Sequence, residues 1–331
     1  MKYWLSVGVI VAIGVLIGGW LWLRSWYVAN LEAPGATSTE AVLIRIESGS
    51  SLHDIALQLE DRRLIKNDVV FRWYLYRHGL ASRIQAGLYQ LHGSLPAAEV
   101  AEILTAGKIA AHSVTITSGL RLDQIVDLLV EEGYSRAAVL KAFKQHYPQT
   151  ILQDKPAGAT LEGYLFPDTY RVEIDQPVQA LIDLILTNTE QRITSDIRAA
   201  WAVRGLNLHQ GLTLASIVQK EVANEDDQRQ VAQVFLRRLK IGMKLEADPT
   251  YEYAAALLDV APSIHLDSPY NTYRHQGLPP TPIATIDLSA ARSIAYPAAT
   301  NWLYFLADRD GKTHFTESVN QHKRNIEKYL Q

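Results

Sequence analysis

The residues whose chemistry stands out lie in 212-LTLASIVQKEVANEDDQRQVAQVFLRRL-239, where a carboxyl occupies a place that an apolar side chain should hold. Wound at about 100° per residue, Leu214, Ile217, Val218 and Val222 share one arc, and Glu221 falls between Ile217 and Leu214. An apolar flank disfavours the ionised form and lifts a glutamate from about 4.3 toward about 6, where a carboxyl can serve as a general acid near neutrality. The bland alternative turns Glu221 outward to pair with Lys220 or Arg229, and for an isolated glutamate it is the default. The next residues weigh against it: acidic 225-EDD-227 breaks the pattern, and an amphipathic helix restarts through Val231, Val234, Phe235 and Leu239. The pair reads as an αα hairpin with Glu221 beside its bend, where solvent can enter.

Other stretches are dense in groups that shape pockets: 162-EGYLFPDTY-170, 245-LEADPTYEYA-254, 268-SPYNTYRHQGLPPTPI-283 and 296-YP-297. Pro279, Pro280 and Pro282 stiffen their loop, and Gly277 allows turns closed to other residues. Tyr270, Asn271 and Tyr273 supply ring faces and an amide suited to sugar hydroxyls and acetamides, although each alone fits a core or turn role equally well. Glu162 and Asp168 add carboxyls, and Asp168 after a proline fits a turn as well as a site.

Composition removes several chemistries. The 331 residues contain no cysteine, which excludes thiol catalysis, Cys-ligated zinc and disulfides. Net charge is -3 with dispersed Lys and Arg, which argues against a nucleic-acid partner. Neither S-x-x-K nor G-x-S-x-G occurs, H-E-x-x-H is absent, and no Rossmann or P-loop glycine pattern appears. No metal or cofactor is expected.

Elements must position these groups. The run 3-YWLSVGVIVAIGVLIGGWLWL-23 is uncharged between Lys2 and Arg24 and long enough to span a hydrocarbon core of about 30 Å. Trp4, Trp20, Trp22 and Trp26 suit interfacial anchors, and the run is too long for the core of a cleaved signal peptide. Lys2 with the amino terminus outweighs Arg24 slightly, which keeps the short N-terminal side in the cytoplasm. Segment 31-LEAPGATSTE-40 reads as a linker that lifts the rest off the bilayer.

Beyond it, 42-VLIRIESGSSLHDIALQLEDRRLI-65 reads as strand, glycine turn and helix with Leu52, Ile55, Ala56 and Leu59 on one face, and 114-VTITSGLRLDQIVDLLVEEGY-134 repeats the pattern. Helices at 68–79 and 97–107 flank a strand at 87–91, a long helix covers 178–205, and strands at 302–308 and 313–316 form a hairpin before a closing helix from Val319 to Leu330. The fold class is α+β: an N-terminal transmembrane helix (1–30), a linker (31–40), a small βα subdomain (41–110) and a larger mixed domain (111–331).

Several separated pieces, 161-LEGYLFPDTY-170, 214-LASIVQKE-221, 247-ADPT-250, 269-PYNTY-273 and 277-GLPPTPIA-284, together resemble the endolytic murein transglycosylases of the MltG (YceG-like) family. The resemblance covers the anchor and nearly all of the remaining chain, and the first βα module resembles the LysM-like subdomain of these proteins. It implies an enzyme on the inner membrane, with its C-terminal domain in the periplasm, that cuts peptidoglycan glycan strands between MurNAc and GlcNAc and leaves 1,6-anhydroMurNAc ends. It makes Glu221 the catalytic acid and base; a mechanism with one such carboxyl needs oxocarbenium stabilisers and sugar binders, for which Glu162, Asp248, Asn271 and Tyr273 are the candidates. It further suggests contact with peptidoglycan synthases and termination of nascent strands. Gln219 replaces a frequent acidic residue, Arg237 stands where Asn is common, and 246-EA-247 departs from the usual polar pair.

One carboxyl suffices for such a reaction, because it protonates the leaving oxygen and then, ionised, takes the proton of the attacking C6 hydroxyl. A hydrolytic muramidase needs a second carboxyl, for which Glu162, Asp168 and Asp248 are available. A non-catalytic wall anchor, with Glu221 purely structural, is the alternative from a different class.

Overall fold

The structure is a computed structural model and describes residues 2–32, 40–108, 110–174 and 176–330. Its chain divides into two compact units, Met1–His112 with Glu173–Asp175, and Ser113–Val172 with Gln176–Gln331. The expected linker falls mostly on 33–39, outside the described residues.

The smaller unit opens with α1 (Lys2–Leu31), continues through β1 (Ala41–Ile46), α2 (Leu52–Asp61), α3 (Asp68–Arg77), β2 (Gly87–His92) and α4 (Ala97–Thr105), and runs into β3 (Ala111–Ile116). Within α1, Val11–Leu31 is long and apolar enough to cross a membrane, and none of its side chains is fully buried. Strands β1 and β2 pair antiparallel from Ala41↔His92 to Ile46↔Gly87. Period-2 alternation turns Ile44 and Ile46 inward against Ile55, Leu59, Phe71 and Leu75. Ser51 caps α2 by accepting from Asp54 N–H, and Asn67 caps α3 by accepting from Val70 N–H. The smaller unit takes in α1 and also regains Glu173–Asp175, where the sequence suggested a single cut after residue 110; Ile174 N–H donates to Ala110 C=O at 3.2 Å, which holds that return.

The larger unit continues with α5 (Leu122–Glu131), α6 (Arg136–Ala142), β4 (Asp168–Glu173), α7 (Val178–Arg192), α8 (Ser195–Val203), α9 (Leu208–Glu221), α10 (Glu225–Lys240), α11 (Asp248–Leu258), α12 (Leu288–Ala295), β5 (Tyr304–Ala307), β6 (Thr313–Thr316) and α13 (Val319–Tyr329). Strand β3 pairs with β4, and β5 with β6. The repeated strand–turn–helix is present in both places, each turn carrying a glycine at positive φ, Gly49 at 86° and Gly119 at 79°. The expected single helix over 178–205 is instead two: Ile193 leaves helical geometry, Thr194 is extended, and α8 restarts with Asp196 in its first turn. That break lets Ile193, Ile197 and Trp201 all turn into the core. The C-terminal hairpin and closing helix lie where the periodicity put them.

Candidate active site

Helix α9 is the spine of the larger unit. Asn207 and Gln210 form a reciprocal capping box at its start, and Leu212, Leu214, Ala215, Ile217 and Val218 are buried along it. Gly211 lets it press on Trp201, since a Cβ there would lie 2.1 Å from a ring carbon. Hydrogen bonds then gather the sequence motifs onto it. His209 meets the Tyr164 hydroxyl at 2.8 Å through Nδ1 and the Pro280 carbonyl at 2.9 Å through Nε2. A carbonyl only accepts, which puts a hydrogen on Nε2. Further along, the Ser216 hydroxyl accepts from Ile283 N–H at 3.0 Å, and Gln219 Oε1 accepts from Asp287 N–H at 3.0 Å. Gly163, at φ 75°, packs so closely on Pro282 that a Cβ would fall 2.2 Å from it. The stretches 161–170 and 277–284 thus belong to one scaffold around α9.

Glu221 is the last residue of α9. The chain bends through Val222–Ala223, and Asn224 caps α10 by accepting from Asp226 and Asp227 N–H. Glu221 is half-buried on the wall of a cleft of about 720 Å³, whose lining also includes Arg238, Glu246, Asp248, Tyr273 and Tyr304. Burial pushes its carboxyl up to about 8, and the negative charges of Asp248 and Glu252 add to the rise. The Asp248 backbone N–H, at the first turn of α11, and Arg238 oppose the rise without cancelling it. The outward reading fails because its partners are engaged elsewhere: Arg229 Nε donates to Tyr296 C=O at 3.0 Å, and Lys220 Nζ lies 3.5 Å from Gly119 C=O.

Asp248 and Tyr273 are brought to Glu221 by a stitch between two loops. The Thr250 and Thr272 hydroxyls meet at 2.9 Å, Thr272 N–H donates to Thr250 Oγ1 at 3.2 Å, and Ala247 N–H donates to Thr272 Oγ1 at 3.0 Å. That registers 247–250 against 269–273, and the Tyr273 hydroxyl donates to Asp248 Oδ1 at 2.6 Å. Burial first, then the Asp248 bond and charge, hold the Tyr273 phenol well above its usual range. Asp248 itself is exposed to the cleft.

Two candidates are not presented there. Asn271 is fully buried, its amide N–H groups donate to Ile264 and Leu266 carbonyls at 2.9 and 2.8 Å, and its Oδ1 accepts from Tyr273 N–H at 3.0 Å. It shapes the loop that carries Tyr273. Glu162 is buried and lines a different cavity, of about 860 Å³, beside Leu122, Phe143 and Tyr253. Its oxygens accept from Leu122 N–H at 3.0 and 3.1 Å, and from the Tyr253 hydroxyl at 3.0 Å. Burial raises it to about 7, opposed by those hydrogen bonds. Asp168 likewise points away, holding Arg192 at 2.9 Å and Asn188 at 3.1 Å.

Arg238 was missed from sequence. It is buried, donating to Leu303 C=O at 2.7 Å and Leu245 C=O at 2.6 Å, pairing with Glu246 at 3.3 Å, and lying 5.3 Å from the Tyr304 ring centroid. Its signal was available: on the α10 wheel it falls between Val234 and Phe235, the same kind of anomaly as Glu221. Arg237, which departs from the family pattern, bonds Asn301 at 2.6 Å and lines a separate cavity of about 1280 Å³ that holds none of the carboxyls discussed. That cavity is the larger, yet its lining includes no Asp or Glu side chain. Among the described residues no group of three or more His, Asp or Glu side chains could hold a metal ion.

Comparison with known proteins gives a consistent family. The model of the YceG-like family matches residues 44–328. An endolytic murein transglycosylase of Bacillus subtilis is 33% identical over 318 residues, covering 91% of this chain and 88% of its own. An endolytic murein transglycosylase of Streptococcus pneumoniae is 27% identical over 358 residues, covering 98% of this chain and 65% of its own length. A crystal structure of a YceG-like protein from Listeria monocytogenes, 32% identical, superposes with a TM-score of 0.57 over 87% of this chain and 99% of that one.

Proposed function

The chain belongs to the YceG-like family, and from that premise we propose that it is a membrane-anchored lytic transglycosylase that cuts peptidoglycan strands internally, with Glu221 as acid and base. The observation that carries the proposal is the position of Glu221: a carboxyl raised to about 8, on the open wall of a cleft, able to hold a proton at neutral pH and release it to a ligand. Glu221 donates that proton to the glycosidic oxygen, and the bond from MurNAc C1 to that oxygen breaks, leaving a GlcNAc hydroxyl. The ionised Glu221 then takes the proton of the MurNAc C6 hydroxyl as O6 bonds to C1. No water is consumed, and the carboxyl ends as it began. Asp248 supplies negative charge near the positive anomeric carbon, and Tyr273 orients it. Asn271 and Glu162 act as positioning residues, through Tyr273 and through α11.

The anchor is α1, with the apolar run 3–23 in the bilayer and the rest of the chain in the periplasm. The β1–α2–α3–β2 order supports a LysM-like role for the smaller unit. The proposed role includes strand termination beside peptidoglycan synthases, and a cleft held at the membrane supports it; repeated cross-linked pull-downs without any synthase would remove that element.

The reaction is tested by mass spectrometry of fragments released from purified peptidoglycan by the full chain in detergent, in oxygen-18 water, beside Glu221→Gln. The proposal expects anhydro ends without label from the wild type and none from the variant. Labelled reducing ends would make the protein a hydrolase, with Asp248 the nearest candidate for second carboxyl. Wall binding with no fragments from folded wild type would leave a non-catalytic anchor.

A further inference from the structure

Helix α3 of the smaller unit has two faces of unlike character. Its inner face buries Val70, Phe71 and Leu75, and the last two join the core that also holds Ile44 and Ile46. Its outer face places Val69, Trp73 and Tyr76 within an arc of about 60° at 100° per residue. These three remain 55%, 49% and 68% exposed, although a valine and two aromatic rings are costly groups to leave in water. Arg72 and Arg77 flank the arc on either side, and the Arg77 guanidinium lies 5.6 Å from the Trp73 ring centroid.

What covers this face is indicated by its neighbour. The end of α1 packs on α3: the Tyr27 and Trp73 rings meet edge-on with centroids 4.5 Å apart, Lys66 Nζ donates to Ala29 C=O at 3.0 Å, and Leu31 packs against the core of the same unit. Arg72 is paired with Asp68 at 2.6 Å, which leaves Arg77 as the cation beside the rings. Aromatic rings with a cation beside them, at the end of an apolar helix, have the composition of a membrane interface, where amphipathic rings sit at headgroup level and cations meet anionic lipid.

We propose that the outer face of α3, centred on Trp73 and Tyr76, rests on the lipid headgroup layer beside the exit of α1 and binds anionic lipid. The proposal rests on α1 being a membrane anchor. It makes the smaller unit a foot seated on the bilayer, with α3 lying along the surface. Two attachments, a span and an interfacial helix, restrict its rotation far more than a span alone.

Because the chain has no cysteine, single labels are simple to place. Tyr76→Cys puts an environment-sensitive fluorophore on the face. Leu43→Cys puts one on the outward side of β1, across the core from α3. The full chain is reconstituted at low protein-to-lipid ratio in phosphatidylethanolamine–phosphatidylglycerol vesicles, which are then floated and read. The expected result is a blue-shifted label at position 76, quenched by a shallow lipid-borne nitroxide and several-fold less quenched by iodide than the label at 43. A chain that floats while its label at 76 is as open to iodide as that at 43 overturns this inference alone. Protection from iodide without nitroxide quenching also overturns it, in favour of a second protein copy on that face. A chain that does not float overturns the anchor and this inference together.

Discussion

Two carboxyls of the larger unit, Glu221 and Glu162, are held at about 8 and about 7, and for both burial is the first cause. Helix α11 touches each of them: its first N–H serves Glu221, and its Tyr253 hydroxyl serves Glu162. They differ in what opposes and what reinforces burial. Glu162 is surrounded by donors, with both oxygens on Leu122 N–H and one on Tyr253, and it closes the start of α5. Glu221 has two like charges beside it, Asp248 and Glu252, where Glu162 has Asp123, and it has a cleft in front of it. A raised carboxyl is thus a poor marker of chemistry by itself. In the proposed reading, access to a cleft and neighbours that favour the proton are what set the acid apart from a positioning carboxyl.

The largest expected effect is on Glu221→Gln, which keeps the shape and removes the transferable proton. Its cleavage rate should fall by about 10²–10⁴-fold, the usual worth of a positioned acid and base, with folding intact by circular dichroism. Near-wild-type cleavage would break the comparison at once.

Next comes Glu162→Ala, which leaves Leu122 N–H and the Tyr253 hydroxyl without their acceptor. Each buried orphan costs about 1–3 kcal/mol. The variant should unfold at clearly lower denaturant, while its folded fraction still cleaves. Full stability with lost cleavage would move Glu162 into the chemistry.

A third test reads pH. The acid form of Glu221 is required, and wild-type cleavage should fall as pH rises through about 8. Asp248→Asn removes one of the charges that raise Glu221 and should move that alkaline limb to lower pH; a limb that stays fixed would show another group in control. The same shift has a stability sign. Unfolded glutamate releases its proton near about 4.3, whereas folded Glu221 keeps it to about 8, so this contribution is fully present below the first value and is lost as pH rises to the second. Glu221→Gln should therefore lose less stability than the wild type between about pH 5 and about pH 8 in paired denaturant titrations.

The smallest effect is expected from Tyr273→Phe, which deletes the 2.6 Å bond to Asp248 at the exposed cleft. The loss corresponds to about 0.5–1.5 kcal/mol, or roughly 2- to 13-fold in rate. A loss as large as that of Glu221→Gln would give Tyr273 a direct part in proton transfer.

The sequence made legible what periodicity can carry. Glu221 was visible because a charge stood in an apolar arc, and the β5–β6 hairpin and the two strand–turn–helix units followed from alternation and glycine. The break at Ile193–Thr194 was hidden because the apolar spacing continues across it; only the packing of Ile193 and Trp201 requires the turn. Where the hydrogen bonds of Asn271 and Glu162 end was not legible. Their partners lie on backbone groups, Ile264, Leu266 and Leu122, that carry no side-chain signal. The Thr250–Thr272 stitch joins residues far apart in the chain with no pattern between them. Arg238 was legible and passed over, since the wheel that singled out Glu221 singles it out too.

The central claim is that of the two raised carboxyls only Glu221 does chemistry. The most direct test compares strand cleavage by wild type, Glu221→Gln and Glu162→Gln at equal concentrations of folded protein, with anhydro ends counted by mass spectrometry. The account predicts ends from the wild type and Glu162→Gln, and none from Glu221→Gln. Ends from Glu221→Gln, with none from Glu162→Gln, would contradict it.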